Sequence, residues 1–166
     1  MPWRLSKIAV VAAIALWLGL VAFGNITDYG SNWPFVQHVL AMDTVFPDAR
    51  IRWRAISAPW LQHAAYLAII LAESLAAILC GIGAVRMWRA RRASAAAFHH
   101  AKAPAVLGLT LGVLLWLGAF MAIGGEWFGM WMSADWNATA SAFRFVVVLM
   151  LALLYLGQRE EAPDDD

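Results

Sequence analysis

Long hydrocarbon-rich runs alternate with short polar stretches along this chain. Four runs stand out, at about residues 5–24, 60–83, 104–124 and 143–157. A helix needs about 20 residues to cross the hydrocarbon core of a bilayer. The first three runs meet that length. The fourth meets it only if residues 140–145 join it, with its outer end then at the level of Arg144. None alternates like a barrel strand, and a lone strand leaves its backbone unsatisfied in lipid. The pattern predicts an all-α, polytopic membrane protein with four transmembrane helices. Residues 1–157 make a single transmembrane domain, and 158–166 an acidic tail expected to be disordered.

The polar stretches are uneven. Residues 25–59 are too long for a slack connection. Within them SNWPFVQHVLAMD reads as a short interfacial helix with Pro34 in its first turn. Phe35, Val36, Val39 and Leu40 share one face, and Phe46-Pro47 ends it. ARIRWRAIS reads as a second short helix capped by Asp48. Residues 124–144, GGEWFGMWMSADWNATASAFR, place three tryptophans (Trp127, Trp131, Trp136) at a membrane edge, where aromatic belts are expected. With the 25–43 loop they are expected to form a structured cap. Arg144, at the mouth of the fourth run, is expected to meet Glu126, Asp135 or an acid of the first loop.

Composition agrees: 63% of residues are hydrophobic and 14% charged, where a soluble domain is nearer half and a quarter. The net charge of +1 points away from nucleic acid. Placement says more. Arg4, Lys7, Arg86, Arg89, Arg91, Arg92, Lys102 and Arg159 fall on one side of the four spans, and Arg50, Arg52, Arg54 and Arg144 on the other. The positive-inside rule then puts both termini and the 86–102 loop in the cytoplasm, with the cap outside. Arg86, Arg89, Arg91 and Arg92 suit anionic lipid. The first run could also be read as a signal peptide with a small-residue site at Ala22-Phe-Gly24, but it is longer than a usual signal core.

The sharpest chemical feature is Glu73, counted about 20 Å into the second span from Trp60. Tyr66 and Cys80 lie seven residues to either side, which puts all three on one helical stripe. Two readings stand: a proton, ion or polar-ligand site, or a carboxyl that only fixes helix register. His38 and His63 are the histidines on the outer side. A haem or metal site there lacks a second imidazole on a facing span and any HxxxH or HExxH spacing. The single cysteine excludes an intramolecular disulfide. No nucleophile–base pair or phosphate loop is visible, so no catalytic residue, metal or cofactor is expected. Gly108 and Gly112 form a GxxxG that serves either packing within one bundle or a homodimer face. Asn25-Ile-Thr and Asn137-Ala-Thr match glycosylation sequons.

NITDYGSNWPFVQHVLAMD, RWRAI, Glu73 and GGEWFGMWMSADWNATASAFRF together resemble domain-of-unknown-function family 2165 over nearly the whole chain. The resemblance implies four spans and a bacterial inner membrane, and no activity. The chain departs from the family pattern at Met132, where a glutamine is expected, and at Ala138-Thr139, where a Gly-Gln pair is expected. The cap residues singled out are Asp28, Tyr29, Asn32, His38, Asp43, Glu126, Trp127, Trp131, Trp136, Asn137 and Arg144. The leading functional expectation is a non-enzymatic accessory or assembly subunit of a larger inner-membrane complex, partnered by other membrane subunits or by itself. The alternatives are a small transporter or ion- or proton-binding protein centred on Glu73, and, more weakly, a redox or haem protein.

Overall fold

The structure, a computed structural model, describes residues 1–158. The tail expected at 158–166 therefore lies, Gln158 apart, outside the described residues. Four helices are long and apolar enough to span a membrane, and no strand occurs among the described residues. Helix α1 (Pro2–Thr27) is followed after a one-residue break at Asp28 by α2 (Tyr29–Ala41). A single 3-10 turn (Arg52–Arg54) precedes α3 (Pro59–Arg89). The short α4 (Ala95–Ala101), N-capped by the Ser94 hydroxyl, leads into α5 (Ala103–Val113). This span continues as a π-wound helix over Leu114–Trp127. After a second 3-10 turn (Met130–Met132), α6 (Thr139–Gly157) returns across the bundle.

Several boundaries differ from those expected. Residues 140–145 do join the fourth span, because nothing between Thr139 and Gly157 breaks a helix. Pro34 stands inside α2, since that helix begins at Tyr29 directly after α1. Buried Met42, in the left-handed conformation, ends α2 five residues before Pro47. The expected helix over ARIRWRAIS is reduced to one turn. Its backbone is instead drawn onto the bundle: Ile56 N–H donates to Leu40 O at 2.8 Å, and Gln62 Nε2 donates to Ile56 O at 2.7 Å.

Helix α3 is the central member, packed against α1 on one side and α5 on the other; α6 closes the bundle against the third span. Close approach rests on missing side chains. A Cβ on Gly83 would come within 2.5 Å of Ala105, and one on Gly108 within 2.7 Å of Ala76 O and 2.8 Å of Cys80. Gly112 faces Leu149 of α6 in the same way, at 2.8 Å. The GxxxG thus packs the bundle internally. At the end where α1 begins and α6 finishes, two buried lysines close the ring. Lys7 Nζ donates to Gln158 O at 2.8 Å, and Lys102 Nζ to Leu156 O at 3.0 Å. Cations at a helix C-terminus satisfy its last carbonyls and oppose its dipole. Arg4 adds bonds to Arg91 O and Ala93 O and lies 4.9 Å from the Phe98 ring centroid.

Gly108→Ala should lower stability by about 1–3 kcal/mol, as overpacking of a tight contact does. Gly118→Ala, whose Cβ would meet nothing within 4 Å, should not. Melting of both variants in the same detergent checks this; equal behaviour would contradict an α3–α5 contact that depends on Gly108.

Candidate functional site: a carboxylate in an aromatic cavity

Glu73 is buried within α3, and its Oε2 accepts a hydrogen bond from Asn25 Nδ2 at 2.8 Å. Asn25 stands two residues before the last residue of α1, so Glu73 is level with the cap end of that helix. Helix α3 has 31 residues, about 46 Å of helix, which overruns a hydrocarbon core of about 30 Å. Its first turns stand alongside α2, outside the stretch that α1 covers.

Asn25 is the hub. Its Oδ1 accepts from Asn32 Nδ2 at 2.8 Å and from the Tyr66 hydroxyl at 3.3 Å, while its Nδ2 serves Glu73. These partners fix the orientation of the amide, since only the oxygen can accept. The break at Asp28 makes this possible. Its carboxylate takes the Ser31 hydroxyl at 2.7 Å, and the chain re-enters a helix within one residue. One side of α2 therefore follows α3. Tyr29 packs 4.5 Å from Tyr66, Trp33 stacks on His63 at 3.7 Å, and the Tyr29 hydroxyl shares a 2.7 Å hydrogen bond with His63 Nδ1. Desolvation raises the Tyr29 pKa, so this phenol stays neutral at ordinary pH.

Glu73 opens on a cavity of about 250 Å³. Asn25, Asn32, Tyr66 and Ser141 supply its other polar groups. The remaining wall is apolar, and half of its residues are aromatic: Phe35 from α2, Trp116 and Phe120 from the π-wound segment, and Phe145 from α6. Phe145 is stacked between Trp17 at 4.2 Å and Trp116 at 3.9 Å, which makes that wall rigid. Donation from each N–H to the carbonyl five residues before it, as from Phe128 N–H to Ile123 O at 2.9 Å, gives a turn of more than four residues. Trp116 and Phe120, four apart, consequently lie along one face with their rings 4.5 Å apart. The Trp116 indole N–H is buried without a hydrogen-bond partner. Glu73 is the single charged residue of the wall, and no lysine, arginine or histidine lines it.

The other expected residues fall elsewhere. Cys80 shares the buried stripe with Tyr66 and Glu73, but it packs against Gly108 and is absent from the cavity wall. His38 and His63 do not meet. His38 pairs with Asp43 at 2.8 Å and stacks on Trp136 at 4.7 Å, and no group of three metal-binding side chains occurs among the described residues. The two loop segments touch through that stack, through Phe46 against Trp131, and through a 2.8 Å hydrogen bond between Thr44 and buried Ser133. Ser133 also accepts from Trp136 N–H, and Asn137 accepts from Thr139 N–H at the start of α6.

The expected ion pairs of Arg144 with Glu126, Asp135 or a first-loop acid are corrected. Arg144, Glu126 and Asp135 are all exposed, and Arg144 makes no ion pair among the described residues. The first turn of α6 points its charge outward. The arginine that binds the cap is Arg54. It donates to Trp127 O at 3.1 Å, and its guanidinium lies 4.5 Å from the Trp127 ring centroid and 5.4 Å from that of Trp53. Asn25, read as a sequon, is engaged and buried, which leaves a glycan no room.

A family model described as predicted small integral membrane protein (DUF2165) matches residues 3–159. The chain belongs to this family. No curated protein and no solved structure matches it. The family carries no assigned activity, so the site stands on its own chemistry. Ala138 belongs to the cavity wall, whereas Thr139 and Met132 do not.

Replacing Arg54 by alanine should cost about 1–2 kcal/mol, from its hydrogen bond and its cation–π contacts. Arg144→Ala should change stability by less than about 0.5 kcal/mol. Paired melting curves check the order, and a larger shift for Arg144 would refute this account of the cap.

Proposed function

We propose that this protein is a non-enzymatic, cation- or proton-binding protein of the bacterial inner membrane, with Glu73 as the binding carboxylate. One observation carries the reading: a buried acid, held by Asn25, in a cavity wall that contains no positive charge. An isolated carboxylate buried in the bundle costs on the order of several kcal/mol unless it is paired, hydrated or protonated. An ionisable group of this kind that borders open space is by default a candidate ion or proton site. The excess of basic residues at the end holding the termini supports cytoplasmic termini and a periplasmic cap, from which the cavity would be supplied.

A second reading rests on a separate observation. Trp53 and Trp60 are 74% and 70% exposed, and Trp53 meets Trp127 edge-on, so the cap presents a broad outward aromatic face. This surface supports an accessory role beside another membrane subunit or a second copy. A gentle pull-down from native membranes with intact-mass analysis tests it, and recovery of a lone monomer would count against it.

For the principal reading, infrared difference spectra between two pH values should show a carboxyl signal in wild-type protein in membranes. Glu73→Gln, which keeps an acceptor for Asn25, should lack that signal. A wild-type spectrum without it would leave Glu73 as a structural group.

A further inference from the structure

Resting on the reading of Glu73 as a cation site, we propose that its ligand is a small organic cation: an ammonium group on a short apolar body. The wall composition decides among cations. An alkali or alkaline-earth ion that sheds its water needs about six oxygen ligands. Besides Glu73, the cavity offers side-chain oxygens only from Asn25, Asn32, Tyr66 and Ser141. That of Asn25 already accepts two hydrogen bonds, and the Tyr66 hydroxyl is spent on it. The rest of the surface is hydrocarbon, with aromatic rings from α2, the third span and α6. Aromatic walls around one carboxylate are poor ligands for a bare metal ion. They suit an alkylammonium, whose charged head pairs with the acid while its carbon body displaces water from the rings.

Size and polarity agree. A cavity of about 250 Å³ lies near the small end of ligand pockets and accepts a molecule of only a few carbons. With no basic residue in the wall, an anionic ligand would meet Glu73 without compensation. Asn25 acts here as a positioning residue, since its amide orients the carboxylate and its own acceptor is occupied.

The test is isothermal titration calorimetry on the intact, detergent-solubilised chain, with n-butylammonium chloride as probe. Its neutral isostere n-butanol and sodium chloride at equal ionic strength serve as controls. Saturable binding of butylammonium with no response to the controls is expected. Glu73→Gln should weaken it by about tenfold or more, as loss of a charge-assisted bond does. Phe120→Leu should weaken it by about threefold through the lost ring. If Glu73→Gln fails to fold, Ala138→Phe carries the same test. It fills the wall while keeping the carboxylate, and it should abolish binding. Equal heats from butanol and butylammonium, unaltered binding in Glu73→Gln or Ala138→Phe, or an equal response to sodium would each overturn the proposal. A positive infrared carboxyl signal with silent butylammonium would reject this ligand class alone. Silence in both experiments would remove the site itself.

Discussion

The hydrogen bond between Asn25 and Glu73 joins the end of α1 to the body of α3, and much of the cap end is arranged around it. An amide has one acceptor and one donor group, and here both are used. The donor faces the carboxylate, and the acceptor gathers Asn32 from α2 and Tyr66 from the preceding turns of α3. Three helices are thus held at one point by a residue of modest size. A buried network of this kind is stable only when its members are satisfied, because the low dielectric that strengthens each bond also raises the cost of an orphan. The bend at Asp28 serves this arrangement, since Asn32 can reach back to Asn25 only if α2 departs from the line of α1.

The two ends of the bundle are built on different chemistry. Toward the start of α1 and the end of α6, small residues allow backbones to touch: Gly83 against Ala105, and Gly108 against Cys80 and Ala76. In lipid no hydrophobic force separates one helix surface from another, so close packing of this sort supplies association. Toward the cap, large aromatic residues replace glycine and alanine. Trp116, Phe120 and Phe145 hold the helices apart around open space instead of filling it. Tight packing below and aromatic spacing above together leave one acid facing a cavity.

The cap is held by rings and neutral polar groups more than by ion pairs. His38 on Trp136, Trp33 on His63 and Arg54 over Trp127 interleave the first loop with its neighbours. Exposed ion pairs contribute little in water. Aromatic contacts bury area and fix geometry, which suits a surface between headgroups and solvent. Arg144 and its supposed acidic partners therefore remain on the outside, free to meet water or lipid headgroups.

Four spans, their approximate limits, and the oddity of Glu73 were legible from the chain alone, because hydrocarbon thickness and the cost of a membrane-embedded charge act on local sequence. Membership of the family was legible from the two loop motifs, and the matched family model covers both. The contacts of the site were not legible. Asn25 looked like a loop residue because a helix end and a loop share the same polar letters. Only the antiparallel placement of α1 against α3 put it opposite Glu73, 48 positions away. Trp116, Phe120 and Phe145 read as ordinary apolar span residues, since a ring lining a cavity and a ring facing lipid have the same hydropathy. The choice of Arg54 over Arg144 likewise came from tertiary structure. Both arginines lie near an aromatic segment in sequence, but only the path of the 42–58 connection carries Arg54 onto Trp127. Local sequence determined what crosses the membrane; helix packing decided which polar and aromatic groups meet, because those distances depend on how separate elements are docked.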